Sequence, residues 1–584
     1  FTTHSGDGRF NIYPMRAVHD ASGFKYIRNL HPDWLFTSHV TFQLDRGGFW
    51  DSWLDAAVAG DAKALELVRD HQVRPPEELY DIREDPYELN NLAEVEEHAK
   101  KLNQLRADLD GWIESTGDEL ASYGPAKQRP KSTSPNILMV LIDDMGFADL
   151  SCFGGPTETQ HIDQLASEGI RFGQFYVNSP ICSPSRVALQ TGRYPFHYRI
   201  SSYLARRQLN KEREMPNWLS VDAPSLPRQL RRIGYYTGHF GKWHMGGQRD
   251  VDEAPLITEY GFDRSLTNFE GLGPRVLGWK TEANGKRSLH ALGSDKLKTG
   301  PVIEAERHQV TDAFIDRAIK HIDHAGVLER PFYINLWFDD VHGPFYPDGD
   351  ASVVQKLPQR ERYRLVLDQM DESLGRIFER IQSDEKLRDN TLIVLLSDNG
   401  HDVNAGSGGE LRGGKTWLYE GGIRSPLIVW GPGIIAPDAI GSVNNQSVGC
   451  SLDLNRSLYT IAGTNPENPD ELDGEDISAT LLGKEHKSRQ DFIAWRRPID
   501  RPGFSHGLKE DNPDLAIRRG RWKYLVNRDG SNAQLYDLIE DAAESHNLAH
   551  NRKELVNSLD DSLRKWDDHF PKTTPKPLRR LPRP

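Results

Sequence analysis

The sequence predicts an α/β fold built on a central, mostly parallel sheet. Three observations carry this. After its first residue, the segment Asn136 to Ile142 is an unbroken apolar run of strand length, as expected for a strand covered on both faces. Phe332 to Phe338, broken only by Asn335, and Thr391 to Leu396, apolar after its first residue, are two more strand candidates. Helix-spaced segments separate them, from Leu226 to Ile233, Ile303 to Ala325 and Tyr363 to Ile381. Alternating strands and helices argue for a sheet with helices on its faces. At 584 residues the chain exceeds one ordinary core, so more than one domain is expected.

The first 120 residues repeat part of the last hundred. Phe24-Lys25-Tyr26-Ile27-Arg28-Asn29 matches Trp522-Lys523-Tyr524-Leu525-Val526-Asn527. Glu78-Leu79-Tyr80-Asp81-Ile82 matches Gln534-Leu535-Tyr536-Asp537-Leu538, and Asn91-Leu92-Ala93 matches Asn547-Leu548-Ala549 in the same register. A helix pattern follows in both copies, carrying Trp112 in one and Trp566 in the other. Each copy reads as strands, a turn and a closing helix. The first holds an insert from about Leu30 to Pro76, with Gly47-Gly48-Phe49-Trp50 and a helix-like stretch from Ala62 to Val68. Ala121 to Pro135, rich in Pro, Gly, Lys and Ser, reads as a solvated linker. Pro571 to Pro584 reads as a basic, proline-rich tail that does not pack.

Composition narrows the function. A net charge of −14 argues against nucleic acid as the main partner. No run of 18 apolar residues is present, so no membrane span is expected. Three cysteines, Cys152, Cys182 and Cys450, do not make a disulfide scaffold. No charged-then-apolar leader is present in this numbering, which opens at Phe1.

The strand ending at Ile142 leads into Asp143 and Asp144, and the strand ending at Leu396 into Asp398 and Asn399. Ligands in open α/β sheets lie outside such strand ends. Converging carboxylates suit a hard cation such as Ca²⁺ or Mg²⁺; each pair alone could equally cap a turn or helix. Gly241-Lys242-Trp243-His244-Met245-Gly246 sets a cation and an imidazole two positions apart, on one face if the backbone is extended. His342-Gly343-Pro344 follows a strand, and Gly414-Lys415 precedes Glu420-Gly421-Gly422. Taken singly, these are ordinary surface or core residues; after successive strands they make an anion pocket.

The ordered segments DDMGFADLSCFGG (Asp143 to Gly155), CSPSRVALQTGR (Cys182 to Arg193), GKWHMG, HGP, SDNG (Ser397 to Gly400) and GGKTWLYEGGIRSP (Gly413 to Pro426) resemble the type I, formylglycine-dependent sulfatases of the alkaline-phosphatase superfamily. The resemblance covers about Pro135 to Phe570. Trp495-Arg496-Arg497-Pro498 and Asp500-Arg501-Pro502-Gly503 lean toward the arylsulfatase A and galactosamine-6-sulfatase branch. Tyr13 to Val18, Tyr26 to Leu30 and Glu78 to Ala93 are similar to the carboxyl-terminal subdomain of sulfatases near heparan N-sulfatase.

The resemblance implies an alkaline-phosphatase-like sandwich with a smaller carboxyl-terminal α+β subdomain and an extra amino-terminal copy of such a subdomain. The expected division is 1–120 for that copy, 121–134 for the linker, 135–460 for the catalytic domain, 461–570 for the carboxyl-terminal subdomain and 571–584 for the tail. The implied activity is an exo-acting sulfuric ester hydrolase on a sulfated saccharide or small sulfate ester. The alternatives are a phosphate or phosphonate ester hydrolase and a non-catalytic binder of sulfated glycans. A converting enzyme would turn Cys182 into formylglycine (3-oxoalanine), whose hydrated form is the nucleophile. The expected Ca²⁺ ligands are Asp143, Asp144, Asp398, Asn399 and modified Cys182. Arg186 would hold the diol, and Lys242, His244, His342 and Lys415 would contact the sulfate and leaving group. Either His342 or Lys415 would supply the proton. The family places such enzymes in the periplasm or outside the cell. One departure is Thr159 to Asp163, where Gln160 and His161 replace the usual Pro and Asn; it is expected to alter a turn. Tyr194 to Tyr198 reads as core packing, with Tyr198 or His197 at the sugar pocket as the alternative.

Overall fold

The computed structural model describes residues 1–4, 13–38, 41, 49–120, 128–130, 133–247, 249–290, 300–498 and 512–571. Asn136–Ile142, Phe332–Phe338 and Thr391–Ser397 are strands and fully buried, because apolar side chains face outward on both sides and helices cover them. The central sheet runs in the order Val443–Asn444, Ile170–Tyr176, Arg424–Trp430, Thr391–Ser397, Asn136–Ile142, Phe332–Phe338, Tyr236–Gly241, Arg264–Leu266, with Gly449–Cys450 also paired to Ile170–Tyr176. Arg424–Trp430 runs antiparallel to both neighbours. The strands flanking Asn136–Ile142 run parallel to it. Ile142 lies level with Phe338 on one side and Ser397 on the other. The residues after these three strands therefore emerge along one edge, the usual place for a ligand.

Two helix readings change. Gln359–Gln382 is a helix from before Tyr363 to just past Ile381. Ile303, however, belongs to the strand Val302–Glu306, which pairs in parallel with Arg275–Thr281, and the helix starts only at Val310. The mixed spacing of Ile303 to Ala325 joined two elements into one. Thr159 to Asp163 is not an isolated turn either. It opens the helix Gln160–Ser167, whose first amides, of His161 and Ile162, donate to Asp371 at 2.9 and 2.8 Å.

Residues 1–133, Leu230–Tyr236 and Ile322–Pro331 form one compact unit; the remainder forms a second. Within the first, Arg330 Nε donates to the Gly234 carbonyl at 2.7 Å, and His324 Nε2 lies 2.8 Å from an Asp55 carboxylate oxygen. The segment expected as a linker is described at 128–130 and 133–134, and the Gln128 amide donates to the Arg232 carbonyl at 2.7 Å. The tail beyond Pro571, Gly47-Gly48 and Asp500 to Gly503 lie outside the described residues.

The repeated copies share their architecture. Thr2–His4, Met15–His19, Phe24–Asn29 and Glu77–Asp81 form a four-stranded antiparallel sheet with the helix Ala99–Thr116. Ile493–Arg496, Leu515–Arg519, Trp522–Val526 and Gln534–Asp537 form another, with Lys553–His569. Tyr26 pairs with Leu79 as Tyr524 pairs with Leu535. The Leu79 amide donates to Asn91 Oδ1 at 2.9 Å, and the Leu535 amide to Asn547 Oδ1 at 3.0 Å. The asparagine thus satisfies a strand amide that would otherwise lack a partner. Lys25 contacts Glu88 at 2.7 Å as Lys523 contacts Glu544 at 2.8 Å, and both glutamates have positive φ, 56° and 52°.

Tyr194 to Tyr198 serves packing. Tyr194 and Phe196 are buried among Trp566 and Phe570, and His197 Nε2 lies 3.1 Å from Asp473. Phe196→Ala should cost about 3–5 kcal/mol, the usual range for an emptied aromatic site, with KM unchanged. Chemical denaturation beside steady-state kinetics checks this; a raised KM without lost stability would contradict it.

Candidate active site

Cys182 opens the helix Cys182–Thr191, all ten residues of which are buried. Pro184 is tolerated because first-turn amides have no intrahelical acceptor. Gly192, at φ 68°, ends the helix, and Asn455 Nδ2 donates to the Leu189 carbonyl at 2.7 Å. The helix N-terminus aims its positive dipole end at the edge where the strands emerge.

At that edge Asp143, Asp144 and Asp398 are buried and each brings an oxygen within 4.8 Å of the others'. Arg186, fully buried, holds Asp398 through Nε at 3.0 Å and Nη2 at 2.8 Å, and donates from Nη1 to the Lys242 carbonyl at 3.0 Å. Lys242 Nζ pairs with Asp143, and Lys415 Nζ with Asp144 at 2.5 Å. Asn399 Nδ2 donates to Asp144 Oδ1 at 2.8 Å. Asp143, Cys182 and His342 form a second group within 4.8 Å. His342 keeps Nδ1 on the Gly343 carbonyl at 2.9 Å, so its Nε2 lies on the Asp144 side, 3.8 Å away. His244 contacts the Leu204 carbonyl at 3.2 Å. Its φ is 54°, so Lys242 and His244 do not share a face by strand alternation; the strand has already ended at Gly241.

Two glycines let the chain close around this point. A Cβ on Gly241 would meet the Trp337 carbonyl oxygen at 1.8 Å, and one on Gly400 the Gly421 carbonyl oxygen at 2.0 Å. Both contacts are to backbone, which cannot give way.

Electrostatics follow from burial and crowding. Burial pushes the Cys182 thiol up to about 12 although Lys242 and Lys415 pull it down, so an unmodified thiol stays protonated. Burial would also raise Asp143, but Lys242, His342, Arg186 and Lys415 outweigh it and hold the carboxyl well below its usual range. Asp398 goes the other way, to about 7, through burial and the Asp143 charge. His342 is lowered by burial, Lys415 and Lys242.

Asp143 Oδ1 and Asn399 Oδ1 are buried with no hydrogen-bond partner. Three carboxylates and one amide oxygen, with these two orphaned atoms among them, form a hard-oxygen donor set, which fits Ca²⁺. The neighbouring strand also ends in two carboxylates, but Asp339 lies 3.3 Å from Arg307 and accepts from Asn268 at 2.8 Å, so it is already compensated.

A family model for sulfatases matches residues 135–464. The chain belongs to the sulfatase family. It is a sulfatase-type hydrolase of the alkaline-phosphatase superfamily. Human N-acetylgalactosamine-6-sulfatase is 32% identical over 364 residues, 60% of this chain and 66% of that protein. The chain thus spans about two thirds of that relative's length. The N-acetylgalactosamine-6-O-sulfatase of Bacteroides thetaiotaomicron is 27% identical over 508 residues, 74% of this chain and 93% of that one. The crystal structure of Ps i-CgsB in complex with k-i-k-neocarrahexaose matches with a TM-score of 0.59 and 25% identity, covering 74% of this chain and 92% of that one. Among the described residues no helix is long and apolar enough to cross a membrane.

The sulfatase site opens into a cavity of about 570 Å³, lined by Cys182, Asp144, Lys415, His244 and His342 at its polar end. The structure brings these sequence-predicted residues together, and it adds walls that sequence reasoning missed: Tyr203, Arg249, Phe269, Phe345, Arg362 and Asp402. They belong to no motif, and only the folded chain gathers them. Neither His197 nor Tyr198 lines the cavity.

Proposed function

We propose that the chain hydrolyses a sulfate ester of a carbohydrate, with formylglycine made from Cys182 and with Ca²⁺. The observation that carries this is one cavity end where Cys182, at a helix N-terminus, meets three buried carboxylates and the cations Arg186, Lys242 and Lys415. Formylglycine would supply a hydrated aldehyde as nucleophile. Asp143, Asp144, Asp398, Asn399 and modified Cys182 would hold Ca²⁺, which supplies Lewis acidity toward a sulfate oxygen.

The chain's own groups account for the rest. Arg186 is locked by Asp398 and the Lys242 carbonyl, so it orients residue 182 without reorganising. Lys242, His244 and Lys415 bind the sulfate oxygens. The leaving oxygen lies toward the open side, where Lys415 carries a proton and His342 gains one once the sulfate charge offsets the two lysines. A carbohydrate fits the half-open cavity with its aromatic walls Tyr203, Phe269 and Phe345. The N-acetylgalactosamine sulfatases among the relatives support a sulfated amino sugar.

Residues 135–460 are assigned to catalysis and 461–570 to the carboxyl-terminal subdomain. Residues 1–120 are assigned to a second subdomain of that kind, akin to the heparan N-sulfatase type. The converting enzyme is a partner during maturation, and the protein works in the periplasm or outside the cell.

Protein co-produced with the converting enzyme should release sulfate from an aryl sulfate and from sulfated disaccharides, measured by ion chromatography. With formylglycine confirmed by mass spectrometry, no release would end the proposal, and a preference for matched phosphate or phosphonate would redirect it. Ca²⁺ should raise the melting temperature, since it binds only the folded carboxylate cluster. Asp144→Asn should weaken that shift at least about tenfold in Ca²⁺ concentration. An unchanged Ca²⁺ titration would contradict the ligand set.

A further inference from the structure

The cations at the sulfate end of the cavity are each matched by a carboxylate. Lys242 is on Asp143, Lys415 on Asp144 and Arg186 on Asp398. On the walls, Arg249 is matched by the buried Glu270. Arg362 is different. It lines the same cavity, and among the described residues no carboxylate lies within ion-pair distance of it, although Glu282 is near enough to feel its charge. Its Nη1 donates to Gln355 Oε1 at 2.8 Å and to the Phe345 carbonyl at 3.4 Å, both neutral. Its Nε is buried and has no hydrogen-bond partner.

A half-buried guanidinium that no carboxylate pairs with can still take an anion from the cavity. Its planar fork suits a carboxylate or sulfate group. Gln359, three residues earlier in the helix Gln359–Gln382, lines the cavity from the same face and offers a neutral donor and acceptor beside it. Phe345, whose carbonyl fixes the guanidinium, is itself part of the wall. Arg362 is thus held by neutral groups in one position and faces the space a saccharide would fill.

We propose that Arg362, with Gln359, forms a subsite for a second anionic group on the substrate, distinct from the sulfate that is cleaved. The substrate class is then a saccharide bearing a carboxylate or another sulfate beyond the scissile one. This rests on the sulfatase reading above and adds the second charge.

Three matched disaccharides with the same scissile sulfate test it: one otherwise neutral, one with a hexuronate carboxylate and one with a second sulfate. In the wild type, kcat/KM should be higher for one or both bis-anionic substrates, and which one identifies the group. In Arg362→Gln the ratio of bis-anionic to neutral kcat/KM should fall about 30-fold, as for truncating one partner of a desolvated charge pair. Arg362→Lys should lose less, since it keeps the charge but not the fork. A ratio unchanged in Arg362→Gln, or a wild-type preference for the neutral substrate, would overturn the subsite. If the wild type cleaves no sulfate ester, the sulfatase reading fails by itself. Calorimetric titration with the disulfated disaccharide then still decides the subsite: weaker binding to Arg362→Gln supports it, equal binding overturns it. A melting curve for each variant separates misfolding from lost recognition.

Discussion

Cys182→Ala lowers aryl sulfate turnover by at least about 10⁴-fold, the scale on which enzymes lose rate when their nucleophile is removed. The loss is expected to be nearly complete because alanine cannot be converted to the hydrated aldehyde that the proposed mechanism needs. Arg186, Lys242 and Lys415 are cations already committed to Asp398, Asp143 and Asp144. The fold should survive. Residue 182 is buried at a helix start, and deleting one sulfur there costs about 1 kcal/mol, as for many single substitutions. The Ca²⁺-dependent rise in melting temperature should persist in the variant, since the three carboxylates and Asn399 remain. Kinetics with calorimetry in parallel read both. Retained turnover in Cys182→Ala would remove formylglycine from the mechanism; loss of the Ca²⁺ effect would make residue 182 a principal ligand rather than a completing one.

The three central strands were legible because they are almost wholly apolar, a pattern few other environments produce. The polar end of the site was legible for a related reason. Asp143-Asp144 and Asp398-Asn399 directly follow two of these strands, so their convergence needs only parallel strands in level register. The strand Val302–Glu306 was not legible, because it is exposed to intermediate in burial and its alternation blends into the following helix. The cavity walls were illegible for another reason. Tyr203, Phe269 and Arg362 come from three separate segments, and nothing local distinguishes Arg362 from the charged residues around it. Its lack of a carboxylate is a property of the folded surroundings. The repeat shows both sides of this. Asn91 and Asn547, matched by sequence as a repeat, make the same strand-amide contact in the fold. The Lys25–Glu88 and Lys523–Glu544 pairs share their geometry but not their burial: the first pair is about one-third exposed and the second fully buried.

That buried pair carries the other large effect. Lys523 Nζ lies 2.8 Å from Glu544 and 3.0 Å from Glu420, and all three side chains are fully buried. The Glu420 amide donates to Glu544 Oε2 at 2.6 Å, and Tyr176 donates its hydroxyl to Glu420 Oε2 at 2.6 Å. Glu420 opens the turn whose Gly421 carbonyl abuts Gly400, directly after Asn399, a ligand in the proposed metal site. Lys523→Met would leave two buried carboxylates without their shared cation and should cost about 3–5 kcal/mol. The pH dependence has a definite sign. Burial would raise Glu420, but Lys523, Arg424 and Arg518 hold it below its usual value. Its charge therefore stabilises the native state above the unfolded carboxyl range and is lost as pH falls through the folded value. Burial raises Glu544 to about 7 even with Lys523 opposing it. It therefore favours the native state at low pH and loses that contribution as pH rises toward 7. Without Lys523 both carboxyls move up, so the variant's deficit widens between pH 5 and pH 8. Lys523→Met/Glu544→Gln should recover part of the loss at pH 8, because one of the two stranded charges is gone. Denaturant unfolding of the three proteins at both pH values checks this. A deficit under about 1 kcal/mol at pH 8, or one that narrows as pH rises, would show that the lysine does not hold the two carboxylates together.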